Sequence, residues 1–339
     1  MKRLKRDYYN QTFSHIYVED AVREHPRTKE ILKRFPDARQ ISIHHYKDVF
    51  CRKKQNVAMQ TKHPMLILAA KQGRLIYEGA PVCQSFGNEY FYYTSCVMNC
   101  IYDCEYCYLK GMYPSGNIVI FVNIEDIFAE LEDILKRHQV YLCVSYDTDL
   151  MALEDLTGFV EMWEEFVQSH SGVRIEIRTK CGRTDLWDRL VPDKNVIFSF
   201  TLSPERIQAS CEHGTATLDE RIRCIARAIE LGFPVRLCFD PIIYCPGWRR
   251  EYDTMLEKVE AQIDMGKIWD ISVGSFRISQ DYIKKLRRSQ RDSSVVQFPF
   301  VNDNGVYHYP DKLMNEMEQH VVEKLVRWIP EDKIFRWKV

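Results

Sequence analysis

Hydrophobic positions in this chain follow two rhythms that replace one another at short intervals. Compact apolar runs cover 118–122, 140–146, 173–179, 195–201, 234–240 and 268–273, each of strand length. Between them, 125–136, 156–168, 219–231 and 252–265 carry helical patterns. The first of these helices opens on Glu125 and Asp126 and closes on Lys136 and Arg137, as the macrodipole favours. The third stops at Gly232. Repeated strand–helix alternation over about 155 residues predicts a parallel sheet or barrel with helices outside. Six strands fit better than eight. The expected fold class is therefore α/β, an incomplete (β/α)6 parallel barrel.

Both flanks differ from this core. Residues 1–85 read as an N-terminal mixed α/β extension, with a short helix over 30–35 ending before Pro36 and strands over 40–43 and 65–70. Lys47, Arg52, Lys53, Lys54, Lys62, Lys71 and Arg74 make it locally basic, either as a solvated face or as a phosphate-contacting surface. Residues 276–339 open with a basic stretch over 282–291. A hairpin over 297–310 follows, turning at Asn304-Gly305, and then a helix over 313–328. The domains expected are thus 1–85, a barrel over 86–275, and a C-terminal hairpin plus helix over 276–339.

Composition narrows the setting. The chain has 339 residues, 45% hydrophobic and 28% charged, enough for a full-sized core. No apolar run approaches bilayer length. The basic residues 1–7 are followed by no apolar signal segment, so a cytoplasmic location is expected, with no membrane partner. The net charge of −1 gives no overall attraction to nucleic acid; such a partner needs a local patch. Twelve cysteines without a secretory signal point to reduced thiols and metal binding.

Four of those cysteines, Cys96, Cys100, Cys104 and Cys107, fall within a loop over 95–111. Three of them read C-x3-C-x2-C. Thiolates favour iron–sulfur clusters, zinc and copper(I). Three thiolates on one loop can hold three irons of a cubane and leave the fourth open to a small chelating molecule. A four-cysteine zinc module is the rival, although structural zinc sites usually use two separated cysteine pairs. In parallel barrels the site lies at the C-terminal strand ends. Those ends carry Tyr146, Asp147, Thr148 and Asp149, then Thr179 and Lys180, then Thr201 and Ser203, then Asp240. Singly each is an ordinary cap or turn residue. Together they can hold a ribose and an amino acid. Cys51, Cys181, Cys211, Cys224, Cys238 and Cys245 lack spacing and read as small hydrophobes. Arg249 and Arg250 after Trp248 suit a phosphate or a solvated loop equally.

The motif ending Glu105-Tyr106-Cys107-Tyr108-Leu109, followed by the six-stranded pattern, resembles the radical S-adenosylmethionine superfamily. With the 123–127 segment, Arg178-Thr179-Lys180, Pro234, Pro246-Gly247-Trp248 and the aromatic hairpin, it resembles spore photoproduct lyases more narrowly, over roughly residues 60–325. The resemblance implies that Cys100, Cys104 and Cys107 hold a [4Fe-4S] cluster whose open iron binds S-adenosyl-L-methionine. Reduction then gives a 5′-deoxyadenosyl radical. It abstracts hydrogen from the spore photoproduct (5-thyminyl-5,6-dihydrothymine) of UV-damaged DNA, and two thymines are restored. The resemblance places cofactor contacts at Tyr108, Thr148, Lys180 and Thr201, and the strand-end reading adds Asp240. It places lesion contacts in the hairpin, at Asn302, Asp303, Asn304 and Tyr307, and a hydrogen relay at Tyr106 and Tyr108. It also implies a flavodoxin- or ferredoxin-type reductant, and a monomer is expected. A radical enzyme acting on RNA, a peptide or a metabolite is the alternative.

One departure favours that alternative. Many family members carry the hydrogen-donating cysteine where Tyr146 aligns. Cys143, three residues earlier, faces the other way on a strand and reads as a core thiol. Cys83, in the Gly/Pro-rich approach over 79–83, ranks first as donor. Cys96 ranks second, with a fourth-ligand or buried role open.

Overall fold

The computed structural model describes residues 13–80 and 83–337. The basic residues 1–7, and Pro81 and Val82 in the approach to Cys83, lie outside the described residues. The chain forms two compact units. The first comprises 1–79, 89–101 and 113–175; the second comprises 80–88, 102–112 and 176–339. The thiol loop therefore contributes to both.

The first unit is built on a five-stranded sheet in the order Arg39–Ile43, His15–Glu19, Leu66–Ala69, Ile118–Phe121, Val97–Met98. All pairings are parallel except the last. Ile118–Phe121, expected to open the barrel series, thus stands beside the strands of the N-terminal extension. Its four residues are buried, which suits mid-sheet but cannot say which sheet. A strand absent from the sequence reading, Phe91–Thr94, runs parallel to Val140–Cys143 and antiparallel to Ile76–Glu78. Consecutive aromatics without apolar alternation hid it. The helix Ile124–Leu135 matches expectation within a residue. The one expected over 156–168 is broken at Gly158, whose φ of 66° ends one turn before Phe159–Ser169 begins.

Within the strand Val173–Thr179 the chain passes into the second unit. There Val196–Thr201, Val235–Ile242, Asp270–Ser275 and Ile334–Arg336 lie side by side, all parallel. The helices Leu218–Glu230 and Trp248–Glu260 supply crossovers between them. The expected hairpin forms from Val301–Asp303 and Val306–His308. Asn304 (φ 49°) and Gly305 (φ 86°) make the left-handed pair that a two-residue turn demands. Arg277–Ser279 pairs with it as a third strand. The terminal helix runs Asp311–Leu325.

Candidate functional site

The leading half of the thiol loop belongs to the first unit, where bonds to backbone carbonyls hold it, with Lys71 and Asp147 engaging its start. Asn99, immediately before Cys100, takes a left-handed conformation (φ 67°) that asparagine tolerates. Its buried side-chain amide donates to the carbonyls of Ser115 (2.8 Å) and Asn117 (2.7 Å). Ser95 donates to the Asp147 carboxylate, and Lys71 donates to the Ser95 carbonyl at 2.9 Å. Burial raises the Asp147 pKa although Ser95, Tyr113 and Lys71 all favour its charged form. Cys96 is fully buried, and its sulfur accepts the Trp163 indole N–H at 3.4 Å. Burial pushes that thiol up to about 11. Cys100 is partly exposed.

In the same unit, Thr148 follows the strand end as expected. Only 8% exposed, its hydroxyl has no hydrogen-bond partner in the structure. A buried hydroxyl left without a partner is costly unless a ligand completes it. Cys143 is buried on Val140–Cys143, as are the other three residues of that strand. Tyr146 packs against Phe91 and Tyr93.

The trailing half lies in the second unit, in charged surroundings. Asp103 and Cys104 form a two-residue antiparallel ladder with Glu212 and His213. The Glu105 amide donates to the Cys211 carbonyl at 2.8 Å. A turn follows, closed by Cys107 N–H to the Cys104 carbonyl at 3.2 Å and Lys110 N–H to the Cys107 carbonyl at 3.2 Å. Burial raises the Cys107 thiol pKa, while the nearby backbone amides of Leu109 and Lys110 favour its thiolate. Gly111 ends the loop where a side chain would collide with Tyr282, its Cβ falling 2.7 Å from that backbone. The neighbouring helix Gln280–Ser289 also ties Lys285 to the Gly111 carbonyl at 2.8 Å.

Buried beneath this half is a network around Glu212. Tyr106, 6% exposed, donates its hydroxyl to the Glu212 carboxylate. Ser203 donates to the same carboxylate at 2.8 Å, and Arg221 at 2.5 Å. Arg221 also donates to the Thr201 carbonyl at 2.9 Å, the Ala216 carbonyl at 3.1 Å and the Thr215 hydroxyl at 2.8 Å. Burial opposes a charged Glu212, yet Arg221 and Lys180 hold its carboxyl at about 2. The Lys180 ammonium stands 5.6 Å over the Tyr106 ring. Burial would lower the Lys180 pKa, but Cys104 and Glu212 carry it above the ordinary lysine value. Burial pushes the Cys104 thiol up to about 12 against the pull of Lys180. Tyr108, by contrast, is 39% exposed.

Asp240 and Cys83 belong to a second polar group of this unit. Arg178 lies 3.9 Å from Asp240. Arg277 stacks 3.9 Å over the Trp337 ring; burial lowers its pKa against Asp240, Glu318 and Cys83, which favour its charge. Arg236 pairs with Asp270 and Glu176 and stacks on Phe86. In the hairpin, Asn302 accepts from the Gly305 amide at 3.1 Å and donates to Gln280 at 3.0 Å, so it also holds the turn. Asp303 and Asn304 are exposed, and the Arg287 guanidinium lies 5.5 Å over the Tyr307 ring.

Within the second unit the structure therefore groups Cys104, Tyr106, Cys107, Lys180 and Thr201, and separately Cys83 with Asp240. Among the described residues, no three Cys, His, Asp or Glu side chains are gathered as a ready metal site. The fit to a cluster rests instead on the donor set, three thiols in one loop. Sequence reasoning missed Glu212, Arg221, Asn99 and Ser95. Their only signals were Asn99 beside Cys100 of the three-cysteine motif and Arg221 in the first turn of a helix, where the dipole disfavours a cation.

The fold and these residues describe a mixed α/β protein with a three-thiol loop set against buried charge. The spore photoproduct lyase family model matches residues 12–337. A spore photoproduct lyase of Bacillus subtilis is 25% identical over 178 residues, 51% of this chain and 52% of that protein. The match thus spans about half the length of that relative. One from Clostridium acetobutylicum is 23% identical over 249 residues, 69% of this chain and 73% of that protein. Two solved spore photoproduct lyase structures share the fold over 96% of this chain and 98% of theirs. One, complexed with dinucleoside spore photoproduct, has a TM-score of 0.81 at 16% identity. A doubly substituted one, with bound AdoMet and dinucleoside spore photoproduct, has 0.79 at 17%. The chain belongs to the spore photoproduct lyase family.

Proposed function

We propose that the chain is a DNA repair enzyme that reverts the spore photoproduct to two thymines, a radical S-adenosylmethionine carbon–carbon lyase. The observation that carries this reading is a C-x3-C-x2-C loop within a family match that runs almost end to end. Cys100, Cys104 and Cys107 would hold a [4Fe-4S] cluster. When bound, the cluster and S-adenosyl-L-methionine supply a radical able to remove a hydrogen atom from the lesion. The chain's own residues bind, orient and exclude water.

Lys180 suits the cofactor's carboxylate, and its neighbours Cys104 and Glu212 favour its charged form. The unpartnered Thr148 hydroxyl, together with Thr201 and Asp240, suits the cofactor's ribose and amino-acid groups. Cys83 is the proposed hydrogen donor, replacing a thiol at the Tyr146 position. Tyr108, the exposed member of the tyrosine pair, is the better placed to pass hydrogen onward. Asn302, Asp303, Asn304 and Tyr307 would contact a lesion drawn out of the duplex. The parallel strand pairs of both units support an incomplete (β/α)6 barrel over 86–275, with 276–339 as the lesion-contacting part. The partners are UV-damaged DNA and a flavodoxin- or ferredoxin-type one-electron donor. Among the described residues no helix is long and apolar enough to cross a membrane, and we place the protein in the cytoplasm as a monomer.

The test is anaerobic. Protein reconstituted with iron and sulfide should be brown, cleave S-adenosylmethionine when reduced, and restore thymines in an oligonucleotide carrying the spore photoproduct. A colourless protein with one stoichiometric zinc would contradict the reading. A brown protein that cleaves the cofactor but leaves the lesion intact would move the substrate elsewhere.

A further inference from the structure

The helix Gln280–Ser289 and the residues just after it carry more positive charge than the fold uses. Lys284, Lys285, Arg287, Arg288 and Arg291 crowd together in a chain whose net charge is −1. Two of them have structural duties. Lys285 donates to the Gly111 carbonyl, and Arg287 donates to the carbonyls of Val296 (3.1 Å) and Phe298 (2.8 Å). Lys284, Arg288 and Arg291 are exposed and make no hydrogen bond or ion pair among the described residues. Lys284 and Arg288, four positions apart, share one helix face. We propose that these three cations are the docking face for the one-electron donor, a small acidic electron-carrier protein whose electron reaches the cluster through the trailing thiol loop. This rests on the radical-enzyme reading above and adds the place of entry. The step is a one-electron transfer: the carrier is oxidised by one electron and the cluster reduced by one, and no atom or proton crosses.

Three observations converge. The first is place. The helix lies against the segment that bears Cys104 and Cys107. Lys285 holds the Gly111 carbonyl at 2.8 Å, and the Gln290 amide, just past the helix, holds the Glu105 carbonyl at 2.6 Å. The loop is thus gripped on both sides of Cys107, and a carrier seated on this helix rests beside two of the three cluster thiols. The second is uncompensated charge. Three exposed cations elsewhere in this unit, Arg206, Arg249 and Lys267, each have a carboxylate partner in Glu251, Glu316 and Asp264. The helix dipole rewards Arg288 in the last turn, but not Lys284 a turn earlier. Cations left free at a surface steer an acidic partner and speed its encounter. The third is separation from the hairpin. That element is fastened to the opposite end of the helix, where the Gln280 amide donates to the Gly305 carbonyl at 2.8 Å and Asn302 donates to the Gln280 side chain. Exposed Asp281 stands at that end, three residues before Lys284, and would repel a phosphate backbone running from the hairpin onto the basic face. An acidic protein therefore fits this face better than DNA.

The test is the triple variant Lys284→Glu/Arg288→Glu/Arg291→Glu in the full, cluster-loaded chain, with the corresponding triple serine variant as a milder companion. An acidic flavodoxin is the probe. Its Kd is titrated at low and at high salt, and the rate at which its reduced form reduces the cluster is followed by stopped-flow absorbance. At low salt the glutamate variant should bind flavodoxin about tenfold more weakly than wild type and slow cluster reduction by a similar factor. It should also lose the salt dependence that wild type shows, because screening has no attraction left to weaken. The serine variant should fall between. Dithionite, a small reductant, should reduce the cluster to the same extent in all three proteins, and affinity for a lesion-bearing oligonucleotide should not change. Unaltered flavodoxin affinity in the glutamate variant, or no flavodoxin binding by wild type, would overturn the proposal. So would a variant that keeps flavodoxin and loses the oligonucleotide, because the face would then belong to DNA. A wild-type protein that takes electrons through these residues but ignores the lesion refutes the substrate assignment and leaves the docking face standing. One that binds no iron removes both.

Discussion

The two halves of the thiol loop are held by different means. The half with Cys96 and Cys100 is secured mainly by bonds to backbone carbonyls and by a neutral indole, with Asn99 bonded to Ser115 and Asn117, Cys96 capped by Trp163, and the charges of Lys71 and Asp147 engaging Ser95 at its start. Cys104 and Cys107 sit in a stretch secured by charge, with Glu212, Arg221 and Lys180 beneath them. Burial pushes the thiols of Cys96 and Cys104 to similarly high values, so pKa does not separate ligand from core group. Neighbours do. Cys96 already has a donor in Trp163, ahead of the charges of Lys71 and Arg27 that also favour its thiolate; for Cys104 the largest influence favouring the thiolate is the charge of Lys180. Loading a metal there should release protons, because thiolates and not thiols are the ligands.

That contrast can be broken at five points, taken from the largest effect to the smallest. Cys104→Ala should abolish the brown colour and all cofactor cleavage, whereas Cys96→Ala should keep both; iron and sulfide analysis decides. Glu212→Leu leaves Arg221 buried without its counter-charge and should lower unfolding stability by about 3–5 kcal/mol, read from urea titration. A Glu212→Leu/Arg221→Met double variant should recover most of that, and no recovery would deny the ion pair its role. At the leading half, Asn99→Ala removes two neutral bonds and strains a left-handed residue, for about 1–3 kcal/mol. If Asn99→Ala costs more than Glu212→Leu, the contrast is reversed. Lys180→Met should weaken S-adenosylmethionine binding about 10–100-fold, the worth of a charge-assisted bond, in a titration at constant cluster content. Last, in native apo-protein at pH 8, iodoacetamide should label exposed Cys51 and spare fully buried Cys96, whose thiol pKa burial pushes up to about 11. Equal labelling by mass spectrometry would remove Cys96 from the core.

Much of this was legible in the residues. The strands 196–201 and 235–242, their crossover helices, and the hairpin at Asn304-Gly305 follow from apolar rhythm and turn chemistry, which act locally. Phe91–Thr94 was not legible, because Phe-Tyr-Tyr-Thr shows no apolar alternation. Ile118–Phe121 was read as a strand but given to the barrel series; an all-apolar strand fits any buried sheet, and pairing is a tertiary choice. The thiol triad and the strand-end residues Thr148, Lys180 and Thr201 announced themselves by spacing and position. Glu212 did not. It lies in a two-residue ladder that no periodicity marks, and its importance comes from Arg221, nine residues on, folding back to meet it.

One assay reaches the central claim directly. Reduced, cluster-loaded protein is incubated without oxygen in D2O with S-adenosylmethionine and a dinucleotide spore photoproduct, and the products are read by mass spectrometry. The account predicts restored thymines, one carrying a single deuterium in its methyl group from the exchanged Cys83 thiol. Cys83→Ala should still cleave the cofactor but lose that deuterated thymine. Absence of thymine from the wild-type reaction, with cofactor cleavage intact, would contradict the account; unchanged labelling in Cys83→Ala would contradict its choice of donor.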